Sequence, residues 1–221
     1  MADVLLIHGS CFGAWAWDAL IPHLTALGHT ARAINLPGRG GTPTTLAAQA
    51  QAIADTLTKP TTLIAHSAGG FPITAAAAIS PHVTGLIYIA AYIPAPGQSV
   101  ADLRRAGPSQ PMKGAFRVTP DRTAYTFAPD RCADLFFHDG PDYTHRLCAE
   151  PTLPQETPLP HLPLTRAAAI ICTDDRAIPP AHQRHMAAGL PQHDLPTGHC
   201  PHLSHPQSLA ATLHGILESW S

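Results

Sequence analysis

The chain has 221 residues, 45% of them hydrophobic, which suffices for a substantial core, and at this length one domain is the default. A formal net charge of -2 with 13% charged residues leaves no basic footprint for nucleic acid and no polybasic anchor for a membrane. No apolar run approaches the roughly 20 residues that a membrane-spanning helix needs.

The first residues, MADVLLIHGS, carry no basic leader and no small-residue cleavage site, so a cytoplasmic protein is expected. Cys11, Cys132, Cys148, Cys172 and Cys200 are odd in number, scattered and without a C-x-x-C pair, which points to neither a disulfide frame nor a thiolate zinc site. No cofactor and no metal are expected.

Val4 to Ile7 is a continuous apolar run that stops at His8-Gly9, as suits a central parallel strand buried on both faces. A helix is expected over 15–27, with Trp17, Leu20, Ile21, Leu24 and Leu27 on one face and Gly28 as its stop. Thr30 to Asn35 reads as a strand, LPGRGGTP as a loop, and Leu46 to Leu57 as an alanine-rich helix capped by Thr44 or Thr45. The strand TTLIAH then ends abruptly at Ser67, followed by a helix in which Pro72 falls near the first turn, and GLIYIA (85–90) is a further buried strand. Strands alternating with helices predict a doubly wound, mostly parallel α/β sheet of about six strands.

The alternation breaks at Pro94. From 94 to 163 short amphipathic pieces are separated by Pro, Gly, Asp and Thr, too long a stretch for a connecting loop. Phe116, Tyr125, Phe127, Leu135, Phe136 and Phe137 argue against disorder, so an inserted cap over the sheet edge is expected, with 1–93 and 164–221 forming the core. The α/β pattern resumes with a strand over 167–172, the loop TDDRAIPP, a helix over 181–190, a short strand over 193–195, the loop PTGHCPHLSHP and a final helix from Pro206.

Chemistry gathers where strands end. A serine at a sharp strand-to-helix turn is pushed out of the sheet, and Ala65, Ala68, Gly69 and Gly70 are small enough to permit the turn, with Ala65 where a G-x-S-x-G elbow has its first Gly. The bland alternative is Ser67 as a helix N-cap. A serine hydroxyl needs a base and an orienting acid. The loop after residue 172 supplies Asp174 and Asp175, between which spacing cannot choose, and the loop before the last helix supplies His199. The order Ser, Asp, His fits one known arrangement of such triads. His199, His202 and His205 could suggest a metal, but no H-E-x-x-H pattern accompanies them.

An oxyanion would be held by the backbone N–H of Ala68 and by one from the loop after the first strand, where Ser10 is the candidate. Cys11, in the same loop, has no base placed for it. Phe12 and Phe71 flank these loops and are candidate pocket residues. Arg39 in LPGRGG lacks the Lys-Ser/Thr that would complete a phosphate loop.

HGSCFGAWAW, AHSAGG, CTDDRAIP with GHCPHLSHP, and LFFHDG together resemble the α/β-hydrolase superfamily. Within it they resemble the branch of plant methylesterases of the salicylate-binding type, hydroxynitrile lyases and bacterial esterase relatives. The resemblance implies an α/β-hydrolase fold lacking the first two strands, and it favours Asp175, the acid before the basic residue, over Asp174. It also implies a pocket to which Gly9, Cys11, Leu135, Phe136 and Cys200 contribute.

Lyases of this branch carry Thr and Lys where this chain has Gly9 and Cys200, so a serine hydrolase acting on the ester of a small to medium apolar or aromatic acid is expected ahead of a hydroxynitrile lyase. A small-ligand-binding module with an idle triad is the alternative of another class. The expected partner is the small-molecule ester itself, with neither nucleic acid nor membrane, and monomer and homodimer both stay open.

Overall fold

The computed structural model describes residues 1–159 and 161–220. β1 (Asp3–Ile7) leads through a short 3-10 turn at Ala14–Trp17 into α1 (Ile21–Ala26), and β2 (Thr30–Ile34) and α2 (Leu46–Asp55) follow. β3 (Thr61–His66), α3 (Gly70–Ala77) and β4 (Val83–Ile89) complete the first half.

The insert then carries α4 (Val100–Ala106), β5 (Phe116–Val118), β6 (Ala124–Phe127), α5 (Pro129–Phe136), β7 (Glu150–Pro151) and α6 (Thr152–Glu156). β8 (Ala167–Cys172), α7 (Pro180–Met186), β9 (Gln192–Leu195), α8 (Pro201–Ser204) and α9 (Pro206–Ser219) close the fold.

Six parallel strands form one sheet in the order β2-β1-β3-β4-β8-β9. Alternation of side chains along each strand divides its contents between two faces. On one face Val4, Leu6, Ile64, Ile87 and Ile170 meet Trp17, Leu20 and Leu24 and the Leu209, Leu213, Ile216 and Leu217 stripe of α9. Each of those four α9 side chains contributes about 1.5–3 kcal/mol by leaving water. On the other face Leu5, Ile7, Leu63, Ala65, Leu86 and Tyr88 meet Ala50 and Ile53 of α2 and Ile73 and Ala76 of α3. Ala65 thus buries its extra methyl in this layer.

The insert adds an antiparallel sheet, β5-β6-β7, and a third cluster in which Phe127, Leu135, Phe136 and Phe137 pack with Phe12 and Phe71.

Three elements differ from the sequence expectation. The helix over 15–27 is broken into a 3-10 turn and α1, because Pro22 has no N–H to bond the carbonyl four residues back. The helix over 181–190 stops at Met186, and Gly189 takes a left-handed φ of 86° in the turn to β9. The loop before the last helix contains one extra helical turn, α8, opened by Pro201.

Candidate active site

The sheet order reverses beside β1: the chain moves outward to β2, then returns to place β3 on the other flank. A crevice opens at such a switch point, beyond the carboxyl ends of the strands. The loop after β1 carries Ser10, the end of β3 leads into Ser67, the loop after β8 carries Asp175, and the loop after β9 carries His199.

Ser67 has φ 54°, a left-handed conformation that costs a non-glycine residue about 1–2 kcal/mol. Its surroundings hold it there. Tyr92 N–H donates to the Ser67 carbonyl at 3.1 Å. A Cβ on Gly69 would stand 2.6 Å from the His8 carbonyl oxygen, and one on Gly70 would overlap the Tyr92 carbonyl. A Cβ on Gly9 would come within 2.8 Å of Ser67 Cβ, so the β1 loop passes directly against the serine. Cys11 (φ 66°) and Ala90 (φ 43°) are strained in the same way, so three of the strained residues stand after β1, β3 and β4 at the same sheet edge.

Asp175 is buried beneath this edge and accepts four hydrogen bonds. Its Oδ1 accepts from Ala177 N–H at 2.7 Å and Ile178 N–H at 2.9 Å, and its Oδ2 from Gln183 Nε2 at 2.8 Å and His199 Nδ1 at 2.7 Å. With Nδ1 donating, the Nε2 of His199 is left as an acceptor. Asp174, by contrast, is exposed.

His199 is held from two further sides. The His66 ring donates from Nε2 to the His199 carbonyl at 3.0 Å. Asp139, from the LFFHDG block, accepts from Gly198 N–H at 2.6 Å and from Ser204 Oγ at 3.0 Å, fastening the insert to the His199 loop.

Ser67 and His199 line one narrow cavity of about 20 Å3 together with Ser10 and Ala68. Phe12 and Phe136 also line it. Gly9, Cys11, Phe71, Leu135 and Cys200 are not in its wall. Gly9 touches the serine from behind, and Cys11 turns its thiol toward the Tyr125 carbonyl. Phe71, Leu135 and Cys200 are packed inside the apolar cluster next to it. Burial, with Glu150 nearby, pushes the Cys11 thiol well up and keeps it an unreactive SH.

The wall is completed by residues that sequence reasoning did not select: Tyr92, Val100, Arg104, Met112 and Gln155. Phe116, Tyr125 and Phe127, expected as cap residues, are there too, and the Ser10 side chain lies beside the Tyr125 hydroxyl.

The β1 loop is itself braced. Glu150 accepts from Cys11 N–H at 3.0 Å, and Cys148 N–H donates to the Cys11 carbonyl at 2.9 Å. The three histidines near the last helix part company: His199 joins Asp175, His205 faces Ser204, and the His202 ring lies tilted between those of Trp17 and His66, with centroids 4.5 Å from each. Burial pushes His202 down to about 3 and His8 to about 4, and drives His66 well below its ordinary value, so all three are neutral scaffolding.

Comparison with known proteins finds the same plan. Methyl jasmonate esterase 1 of Vitis vinifera is 26% identical over 258 aligned positions, spanning 98% of this chain and 97% of that protein. The pyrethroid hydrolase of Sphingobium wenxiniae is 28% identical over 247 positions, 96% of this chain and 86% of its own. The crystal structure of a pyrethroid hydrolase from Sphingobium faniae superposes with a TM-score of 0.88 at 25% identity, across 99% of this chain and 98% of the other. A sequence profile described as the Alpha/beta hydrolase family matches residues 4–212, and with its parallel sheet and strained serine the chain belongs to that family.

Proposed function

We propose that the chain is a cofactor-independent serine hydrolase that cleaves a carboxylic ester of a small to medium apolar or aromatic acid through an acyl-enzyme. The observation that carries this reading is the buried His199–Asp175 bond of 2.7 Å on the same cavity as the strained Ser67. The names of the two relatives aligned over nearly the whole chain, an esterase and a pyrethroid hydrolase, support it.

In this mechanism Ser67 Oγ attacks the ester carbonyl and His199 Nε2 takes its proton, while Asp175 holds the imidazole in the right tautomer and stabilises the imidazolium. The developing oxyanion is received by the N–H groups of Ser10 and Ala68, each such donor being worth roughly 3–4 kcal/mol in the transition state. His199 returns the proton to the departing alcohol, then activates the water that releases the acid. The insert over 94–163 acts as the cap that shapes the acid's pocket.

A cyanohydrin-cleaving reading fares worse. A threonine at position 9 would drive its Cβ into Ser67, and Cys200 is a buried thiol with no positive charge to offer a cyanide. The test is stopped-flow hydrolysis of a 4-nitrophenyl ester. A burst of nitrophenol equal to the enzyme, absent in Ser67→Ala, is expected, and equal turnover by that variant would overturn the assignment. Cyanide release from mandelonitrile would favour the lyase.

A further inference from the structure

Arg104 lies at a junction. The cavity holding Ser67 adjoins a second, outer cavity of about 200 Å3, and both are lined by Tyr92, Arg104, Met112 and Phe116. These four side chains form the partition between the inner and the outer space.

The arginine's place is set by α4. Its first turn is closed by a capping box, with Ser99 Oγ accepting from Asp102 N–H at 3.1 Å and Asp102 Oδ2 from Ser99 N–H at 3.0 Å. Its far side is pinned where His182 Nε2 donates to the Leu103 carbonyl at 2.9 Å, with Val100, Ala101 and Leu103 buried. Phe116 supplies a surface for the guanidinium, whose Cζ lies 4.4 Å from the ring centroid.

Asp102, the acid nearest in sequence, is committed to Arg105 at 2.7 Å. Among the described residues Arg104 makes no ion pair and no side-chain hydrogen bond. A half-buried guanidinium with all five donors free, held in the wall of a substrate cavity, is an acceptor-seeking group. Tyr92 adds a hydroxyl that burial keeps protonated, and Lys113 adds a second cation at the outer rim.

We infer that the partition is an anion subsite: Arg104 receives an ionised carboxylate carried by the substrate away from its scissile ester, so that half-esters of dicarboxylic acids, or esters of carboxylate-bearing alcohols, are the preferred class. This rests on the hydrolase reading above. The ester carbonyl sits at Ser67, the body of the substrate lies among Phe12, Phe127 and Phe136, and its charged end reaches the guanidinium. Arg104 is a specificity residue in this scheme and takes no part in the bond changes.

The test uses two matched pairs. 4-Nitrophenyl hydrogen glutarate against 4-nitrophenyl pentanoate puts the charge on the acid side. 4-Acetoxybenzoate against 4-methylphenyl acetate puts it on the alcohol side. For each pair the ratio of kcat/KM, charged over neutral, is compared between wild type, Arg104→Met, Arg104→Gln and Arg104→Lys.

In at least one pair the ratio is expected to fall about tenfold or more in the Met and Gln variants, chiefly through KM, and to recover in part with Lys. The pair that responds identifies the end of the substrate that bears the charge. Ratios unchanged by all three variants in both pairs, with all four esters turned over, would overturn the subsite and leave the hydrolase reading intact. Failure of the wild type to turn over any of the four would overturn both.

Discussion

Replacing Asp175 by Asn tests how the His199 imidazole is held. The carboxylate serves four donors: two backbone N–H groups on Oδ1 and two side chains, Gln183 and His199, on Oδ2. An amide has one acceptor oxygen. If that oxygen stays with Ala177 and Ile178, the new NH2 group faces His199 Nδ1, which can then only offer a lone pair. The proton moves to Nε2, and the base is turned into a donor aimed at the serine. That tautomer change costs about 10,000-fold in kcat in a well-studied serine protease, or roughly 5.5 kcal/mol of transition-state stabilisation.

Folding also suffers, by about 1–3 kcal/mol, because Gln183 Nε2 now meets a donor. Initial rates on a 4-nitrophenyl ester, with thermal melts of the same samples, measure both effects. Asp174→Asn is the comparison, since Asp174 is exposed, and it should stay within a few-fold of wild type. An Asp175→Asn enzyme within tenfold of wild type, or an Asp174→Asn enzyme equally crippled, would refute the assignment of the orienting acid.

Gly9→Ala should lower kcat about 100-fold or more, because its Cβ would stand 2.8 Å from Ser67 Cβ and 3.0 Å from His66 Nδ1 and must displace the serine; steady-state rates with a fold check by circular dichroism read this. Asp139→Ala should remove the tie between the insert and the His199 loop, lowering kcat about tenfold and the melting temperature by several degrees.

Stability should fall in mild acid. His8, His66 and His202 are held neutral by burial, while in the unfolded chain they take a proton near pH 6.5. The unfolded state therefore binds more protons, and each histidine removes about 1.4 kcal/mol per pH unit as pH falls below 6.5. Glu150 works the other way: burial raises it to about 7, so between pH 7 and 4.5 the folded state binds its proton and gains as pH falls. For these four groups the net loss is about 3 kcal/mol per pH unit between 6.5 and 4.5. Urea titrations at pH 8, 6 and 5 check it, and Glu150→Gln should be more stable than wild type at pH 8 but steeper in acid.

The strand ends that carry chemistry were legible because a parallel sheet writes itself as apolar runs with abrupt stops. Val4–Ile7, Thr61–His66 and Ala167–Cys172 each end within a few residues of a site group. Spacing left Asp174 and Asp175 equal and the family resemblance favoured Asp175; burial gives the physical reason, since the turn aims Asp175 inward at Ala177, Ile178 and Gln183 while Asp174 faces water.

The cavity wall was less legible. Phe71 stands four residues after Ser67 but packs into the cluster beside the cavity, so nearness in sequence misled. Arg104, Met112 and Gln155 converge on the serine only once the insert has folded, through contacts made across dozens of residues and with no local periodicity to announce them. Asp139 could have been suspected from the LFFHDG block, but its acceptor role depends on where the His199 loop passes. Pro22 was the readable signal that the first helix is interrupted.

In this mechanism Ser67, alone among the described hydroxyls, is made nucleophilic. A fluorophosphonate probe followed by peptide mass mapping measures that directly. The account predicts one equivalent of label on Ser67, abolished in His199→Ala and suppressed by a competing ester. Label on any other residue, or none on Ser67 in the folded wild-type protein, would contradict it.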